Sequence, residues 1–157
     1  MLFLSTNYLY SQEPISKGSF KIGAVVFEVE ETNDLNRFFI RNSKDTLIRE
    51  DNPDFLFVDR NLLNTDELKL LVLQTLKKKK TDLKLNNVNL KIFCSFFPNG
   101  KIHSLSYVIN SATALNLQDI ACIDQHLREN FIAQIRSSHD LHLELKSIPF
   151  TVELNFD

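Results

Sequence analysis

The densest group of metal-ligand side chains lies near the C-terminus, where His139, Asp140, His142 and Glu144 fall close together. On an extended segment His142 and Glu144 share one face, and His139 could turn toward them. A zinc site needs at least three such ligands that converge. The spacing matches no established zinc motif, so His139, His142 and Glu144 are only weak metal candidates. A solvated polar loop that leads into an edge strand is the favoured interpretation.

A second pair with chemical potential is Cys122 and His126, which stand one turn apart on a predicted helix. A neighbouring imidazole can activate a cysteine as a nucleophile. We expect this helix face to be exposed, and no third group is placed to orient the imidazole. The sequence therefore assigns no catalytic residue, and we expect a non-enzymatic protein without a cofactor.

The glycine content excludes several nucleotide-binding and hydrolase motifs. The 157 residues include only three glycines, Gly18, Gly23 and Gly100, whereas phosphate-binding loops and the GxSxG elbow need closely spaced glycines. A net charge of −2 argues against a general nucleic-acid binder. No apolar run approaches the ~18 residues of a membrane span. The length and a hydrophobic fraction of 43% fit one ordinary globular domain.

The N-terminus has two interpretations. Residues Met1–Ser11 carry no charge and precede Gln12-Glu13-Pro14, which resembles a secretory signal peptide that has lost its basic region. Ser11 suits the position before the cleavage site, whereas Leu9 is larger than usual for its position. This interpretation predicts a periplasmic or exported protein whose single domain covers residues 12–157. The alternative is a first strand of the mature protein, which would then be cytoplasmic.

The first third of the chain is predicted to form a β-meander. Phe20–Glu30 is rich in Val and Phe, and its apolar residues alternate with polar ones. Arg37–Arg41, Thr46–Arg49 and Asp54–Asp59 are further strand candidates, and polar turn sequences separate them.

A first helix is predicted to begin at Asn64, which with Glu67 resembles a capping box. Its apolar residues recur at helical spacing, at Leu68, Leu71, Val72 and Leu76. The run Lys77–Lys80 is predicted to end the helix as solvated cations, since positive charge is favourable at a helix C-terminus.

A second helix is predicted from Asn116, which caps it together with Asp119, to about Arg136. Its apolar stripe comprises Ile120, Ile123, Leu127, Phe131 and Ile135. Cys122 projects from the opposite side, whereas Cys94 lies within a predicted strand. The two sulfurs are therefore expected to be too far apart for a disulfide, and both thiols are predicted to be free.

The clearest hairpin joins strands Val88–Phe97 and Lys101–Ile109 through the turn residues Pro98, Asn99 and Gly100. These residues favour a type I turn followed by a glycine bulge. The competing two-residue Asn-Gly turn would place Pro98 in the ladder, where it cannot donate a hydrogen bond.

In the bulged register Phe96 faces Ile102 and Phe93 faces Leu105. Apolar side chains then lie on both faces of the hairpin, so we expect both faces of the sheet to be covered. A last strand, Ile148–Phe156, alternates cleanly, and Leu141–Leu145 is a short candidate strand before it.

These elements predict an α+β fold in the order β-β-β-α-β-β-α-β, with two main helices packed on a mainly antiparallel sheet. The second half, residues 64–156, includes FFPNGKIHSLSYVINS and ends with IPFTVELNF. In its order of elements and its Pro-Asn-Gly turn it resembles the TonB C-terminal domain and related periplasmic modules. The resemblance implies that a sheet edge pairs with another envelope protein or with a second copy. The final strand or the bulged hairpin would supply that edge.

Three functions remain open at this point. The favoured one is an exported protein-interaction module. A small-ligand carrier would need a Phe-lined cavity between helix and sheet, above about 300 Å³ and closed to solvent. A metal-assisted hydrolase would need His139, His142 and Glu144 to converge.

Overall fold

The fold is α+β, as predicted, and it is built on a six-stranded antiparallel sheet. The structure is a computed structural model, and it describes residues 15–32, 37–46, 60–110, 114–137 and 142–156. The predicted signal remnant Met1–Ser11, the strand Asp54–Asp59 and nearly all of Thr46–Arg49 lie outside these ranges.

The N-terminal meander is present, but its first predicted strand is two strands. Strands β1 (Gly18–Ile22), β2 (Val25–Thr32) and β3 (Arg37–Asn42) pair in sequence. Gly23 separates the first two at a φ of +60°, and glycine is the residue that favours this conformation at the first position of a two-residue hairpin turn. The single strand predicted over Phe20–Glu30 is wrong because this turn was overlooked.

The remaining strands of the large sheet are β5 (Asn89–Phe96), β6 (Ile102–Asn110) and β8 (Ile148–Asn155). The strand order is β1-β2-β3-β6-β5-β8. The β5–β6 hairpin therefore lies inside the sheet, because β6 also pairs with β3 and β5 also pairs with β8. The hairpin has no free edge, which removes one of the two edges that the resemblance implied.

Three α-helices lie between the strands in the ranges given above. Helix α1 (Thr65–Thr75) ends just before the lysine run, and a 3₁₀ turn (Lys77–Lys79) leads into a short helix α2 (Lys80–Leu85) that the sequence did not predict. Leu83 on α2 is fully buried, so packing of this side chain explains the extra turn of helix. Helix α3 (Leu117–Asn130) is shorter than predicted.

Helix α3 ends at Asn130 because Phe131 adopts an extended conformation and leaves the helix to enter the core. Ile135, predicted on the same helix stripe, lies instead in β7 (Ile135–Ser137), which pairs with β4 (Arg60–Leu62). This two-stranded ladder was not predicted, since three-residue strands carry too little alternation to be recognised.

The predicted register of the hairpin is correct only beside the turn. Phe96 faces Ile102 as expected, but the pairing then shifts, and Phe93 faces Ser106 instead of Leu105. His103 is the extra residue, and this β-bulge inverts the face of every later β6 side chain.

The shift explains why, among the described residues, one face of the sheet is packed against the helices and the other is open. Leu105, Tyr107 and Ile109 join Leu90 and Ile92 on the packed face, where all five are at most 1% exposed. On the open face of β5, Phe93 remains 39% exposed. The prediction of apolar side chains on both faces, each needing a cover, followed from the wrong register.

The core lies between the packed face and helices α1 and α3. It is filled by large side chains that are less than 2% exposed, among them Tyr107, Phe27, Phe96, Phe131 and Leu68. Strand β8 alternates as predicted, with Val152 and Leu154 buried and Thr151 and Glu153 exposed. Residues 142–144 form a 3₁₀ turn instead of the candidate strand.

Candidate functional site

The predicted metal ligands do not converge in the described part of the chain. His142 is buried, its Nδ1 lies 2.8 Å from the Ser137 hydroxyl, and that hydroxyl accepts the His142 backbone N–H at 2.9 Å. Glu144 is exposed, and His139 lies outside the described residues. Nowhere in the described ranges do three His, Cys, Asp or Glu side chains stand where they could hold a metal ion. His142 therefore acts as a packing residue with a local hydrogen-bond partner.

The imidazole of the predicted Cys122–His126 pair bonds to a neighbouring helix. The Thr75 hydroxyl donates to the Leu71 carbonyl at 2.9 Å and lies 2.7 Å from His126 Nδ1. Because its single proton is already used, this hydroxyl accepts a hydrogen bond from His126 Nδ1–H. The imidazole thus links α3 to α1, while Cys122 is exposed.

Both thiols are free, as predicted, and they occupy opposite environments. Cys94 lies on the packed face of β5, and burial raises its pKa to about 12. A thiol held in its protonated form is a poor nucleophile, so Cys94 is a core residue.

Pro98, Asn99 and Gly100 form the predicted turn. Phe97 accepts the Gly100 N–H and donates to the Lys101 carbonyl, both at 2.9 Å, and the Asn99 side chain accepts the Lys101 N–H at 3.1 Å. The Gly100 carbonyl in turn accepts the Ala133 N–H at 2.9 Å. The turn is therefore a structural contact with the segment after α3.

The strongest charge cluster lies between α3 and the sheet. Arg128 donates to Asp124 at 2.5 Å and to Asp45 at 2.6 Å, and Asp45 also accepts the Leu105 backbone N–H at 2.8 Å. Tyr107 donates to Asp124 at 3.4 Å. The four side chains Asp45, Tyr107, Asp124 and Arg128 are called the Arg128 cluster below.

Burial sets the direction of the pKa shift at two members of the Arg128 cluster, Asp124 and Tyr107. It raises the pKa of Asp124 despite the opposing effect of Arg128, and burial together with the Asp124 charge raises the pKa of Tyr107 well above its usual value. Shifted pKa values often mark active sites. This cluster is closed instead, since Asp124 is 3% exposed and Tyr107 is fully buried, so it holds α3 on the sheet.

A concave pocket of about 530 Å³ lies on the open face of the sheet, on the side opposite the helices. The lining residues at open-face positions of the sheet are Phe93, Ser95, Ser104, Ser106 and Thr151, and Arg60 adds one cation. Cys94 and Phe150, which pair on the packed face, also border it. Pro149 lies at the β8 side of the same pocket. The pocket offers hydrogen-bonding groups beside an apolar ring and one positive charge.

Sequence reasoning missed this pocket for an identifiable reason. The predicted register paired Phe93 with Leu105 instead of Ser106, and both faces of the sheet were expected to be covered, because the His103 bulge was not anticipated. Once the register is known, the sequence does indicate a polar site, because Ser95, Ser104 and Ser106 lie on facing strands of one hairpin and on the same face of the sheet. Arg60 could not be placed there from the sequence, because it comes from the separate β4–β7 ladder.

Strand β8 forms an edge of the large sheet in the described part of the chain. The Phe156 N–H bonds to the Val88 carbonyl, and antiparallel pairing alternates between residues that bond to the neighbour and residues that point away. With the observed register, Leu154 and Val152 bond toward β5, and the outward groups belong to the residues between them. These are Pro149, Thr151, Glu153 and Asn155, and their outward backbone groups are called the outer edge of β8 below.

No described helix combines the length and the apolar content needed to cross a membrane.

Comparison with known proteins identifies the fold but no family. No protein-family model matches the sequence, and no curated protein matches it. Among solved structures, the chain is similar to the crystal structure of a DUF5043 family protein from Bacteroides uniformis ATCC 8492. The TM-score is 0.67 at 11% sequence identity, over 88% of this chain and 85% of that chain. A likeness at this identity establishes a shared α+β architecture and nothing about activity.

Proposed function

We propose that the protein is a non-enzymatic binding module of the cell envelope, which pairs the outer edge of β8 with an extended segment of another protein. One observation carries this proposal. Strand β8 is eight residues long, and on its outer side the N–H groups of Thr151, Glu153 and Asn155 find no strand partner among the described residues. Unpaired edge groups of this kind are the binding element in strand addition.

The other two hypotheses have less support. A carrier cavity was expected between helix and sheet, where Phe27, Phe96 and Phe131 are at most 1% exposed and fill the space. The pocket lies on the other face of the sheet and is open to solvent. A hydrolase would need His142 and Glu144 to share a site, but His142 is buried against Ser137 and Glu144 is exposed.

A proline at position 151 tests the edge directly. Thr151→Pro removes an outward N–H but leaves the hydrogen bonds to β5 intact, and Pro149 already occupies the equivalent position two residues earlier. Thr151→Val is the matched control, since it keeps the N–H and the shape of the side chain. Equal melting temperatures of the two variants establish that both fold.

A photoreactive p-benzoylphenylalanine at Asn155 then reports on the partner in the native host. We expect a discrete crosslink to a different protein in the Thr151→Val background and its loss in Thr151→Pro, followed by the same difference when the purified partner is titrated. A crosslink of equal yield in both backgrounds, or none in either, contradicts the proposal. If the chain sediments as a dimer and Thr151→Pro sediments as a monomer, the partner of the edge is a second copy of this chain and not a different protein.

Export is the second part of the proposal and rests on the uncharged stretch Met1–Ser11. An alkaline phosphatase fusion to the complete open reading frame, with any codons upstream of Met1, measures it. We expect phosphatase activity, which requires an oxidising compartment, and a shorter mature protein. Retention of the full-length fusion in the cytoplasm would contradict export without affecting the edge proposal.

A further inference from the structure

The pocket on the open face and the outer edge of β8 form one continuous surface. Thr151 and Pro149 line the pocket and also carry outward backbone groups of the edge. A strand that pairs with β8 therefore runs along the rim of the pocket.

The charge of the pocket selects a type of ligand. Among the described residues that line the pocket, Arg60 is the sole charged side chain. None of the ion pairs in the same part of the chain includes it. A half-buried guanidinium without a counter-ion among the described residues favours a carboxylate, which it binds through two parallel hydrogen bonds. The hydroxyls of Ser104 and Ser106 add donors for the same oxygens.

Strand geometry aims one partner side chain at this pocket. Residues that face each other on neighbouring strands project from the same face of the sheet. The partner residue opposite Thr151 therefore projects over the open face, with Thr151 between it and Phe93, while its two neighbours project toward the helix side. On this basis, and resting on the proposed function, we propose that the pocket binds an acidic side chain of the added strand. Its methylene groups extend over Thr151 toward the Phe93 ring, and Arg60 is its counter-ion.

A second copy of the chain is a poorer source of this carboxylate. The acid on the open face of β8 is Glu153, which already forms an ion pair with Lys91 of its own chain. That contact lowers the pKa of Glu153, so its carboxylate is ionised and engaged.

A randomised nine-residue peptide display library provides the probe. It is selected in parallel against the wild-type chain, Thr151→Pro, Arg60→Gln and Arg136→Gln. Arg136 lies on the strand facing β4, is exposed, and lines no part of the pocket. Arg136→Gln therefore controls for the loss of one positive charge.

We expect wild type and Arg136→Gln to enrich peptides with Asp or Glu at one fixed position, and Arg60→Gln to lose that preference. A synthetic selected peptide should bind about tenfold more weakly when its acid is changed to the amide, as for one charge-assisted contact in an open site. The same change should have no effect on binding to Arg60→Gln.

The outcomes separate this inference from the proposed function. Peptides that bind wild type but not Thr151→Pro, with no acidic preference, overturn the pocket assignment and leave edge pairing standing. If the wild-type chain enriches no peptide beyond those that Thr151→Pro also enriches, both the pocket assignment and the edge pairing are overturned. A titration with phenylacetate, followed by NMR, tests whether the pocket instead binds a small organic acid. Chemical-shift changes that require Arg60 and persist in Thr151→Pro, in the absence of any peptide binding, would assign the pocket to a free organic acid.

Discussion

At the scale of single residues, Gly100 and the Arg128 cluster show how one side chain, or its absence, determines local structure. Gly100 has a φ of +80°, and a Cβ placed on it would lie 2.3 Å from the Ala133 carbonyl oxygen. Gly23 also has positive φ, but a Cβ there would meet nothing within 4 Å. A substitution at Gly23 therefore tests the cost of the positive φ alone, whereas a substitution at Gly100 adds the cost of a steric contact.

Gly100→Ala should destabilise the protein by about 2–4 kcal/mol, because a strained φ and a displaced Ala133 backbone both contribute. Gly23→Ala, the matched control, should cost about 1–2 kcal/mol from conformation alone. Urea denaturation measures both. Equal losses for the two variants would show that the Gly100–Ala133 contact relaxes without cost.

In the Arg128 cluster, Arg128→Met should cost about 3 kcal/mol at neutral pH, because it leaves the buried Asp124 carboxylate without its counter-ion. Adding Asp124→Asn should recover part of that loss. Burial already raises the pKa of Asp124 in the folded protein, and loss of the opposing Arg128 charge should raise it further. The deficit of Arg128→Met should therefore shrink as pH falls toward 4 and grow as pH rises. A deficit that is independent of pH and unchanged in the double variant would assign the loss to packing.

At the scale of elements, the two predicted helix caps differ in what they do. Asn116 forms a full capping box with Asp119, as the sequence indicated. Asn64 precedes α1 but makes no side-chain cap; its amide accepts the Gln134 N–H at 2.9 Å and donates to the Ile132 carbonyl at 3.0 Å. A cap residue and a tertiary bridge have the same local sequence, and only the position of the distant segment distinguishes them.

Hydrogen exchange should distinguish the two asparagines. Asn116→Ala should lower stability by about 1 kcal/mol and accelerate exchange in the first turn of α3, where the Asp119 N–H loses its acceptor. Asn64→Ala should accelerate exchange at Gln134 and leave the first turn of α1 unchanged. Faster exchange throughout α1 in Asn64→Ala would mean that Asn64 acts as an ordinary cap.

At the scale of the whole molecule, the sheet has one packed face and one open face, and the hairpin that looks most distinctive in the sequence occupies its interior. This order leaves β8 as an edge and places the pocket beside it. The packed face also holds two groups that must stay neutral, Cys94 and Tyr107. The free energy of unfolding is therefore expected to decrease at alkaline pH, where these two groups would ionise.

The free energy of unfolding should fall as pH rises from about 9 to 12. The pKa of Cys94 is about 12 in the folded protein against 9.0 for a free thiol, and that of Tyr107 is also raised. A raised folded pKa gives stability that is complete below the unfolded pKa and is lost above it. For Cys94 the loss should be about 1.4 kcal/mol per pH unit in this range.

Cys94→Ala should flatten this alkaline slope, whereas Cys122→Ala, at the exposed thiol, should leave it unchanged. Urea denaturation at pH 8, 10 and 11 gives the free energy of unfolding of each variant. The change of this free energy with pH is compared, because the cavity left by alanine lowers it by the same amount at every pH. An unchanged slope in Cys94→Ala would assign the alkaline loss to other groups.

Local patterns in the sequence determined the α+β class, the hairpin turn, the Asn116 cap and the alternation of β8, because each depends on contacts between residues near in sequence. Tertiary structure decided the His103 bulge, the strand order and the placement of Arg60. These depend on which distant segments pack together, and a shift of one residue in a ladder reverses the face of every side chain beyond it. The candidate site was therefore absent from the sequence-based prediction, even though Phe93, Ser95, Ser104, Ser106 and Thr151 were all placed on predicted strands.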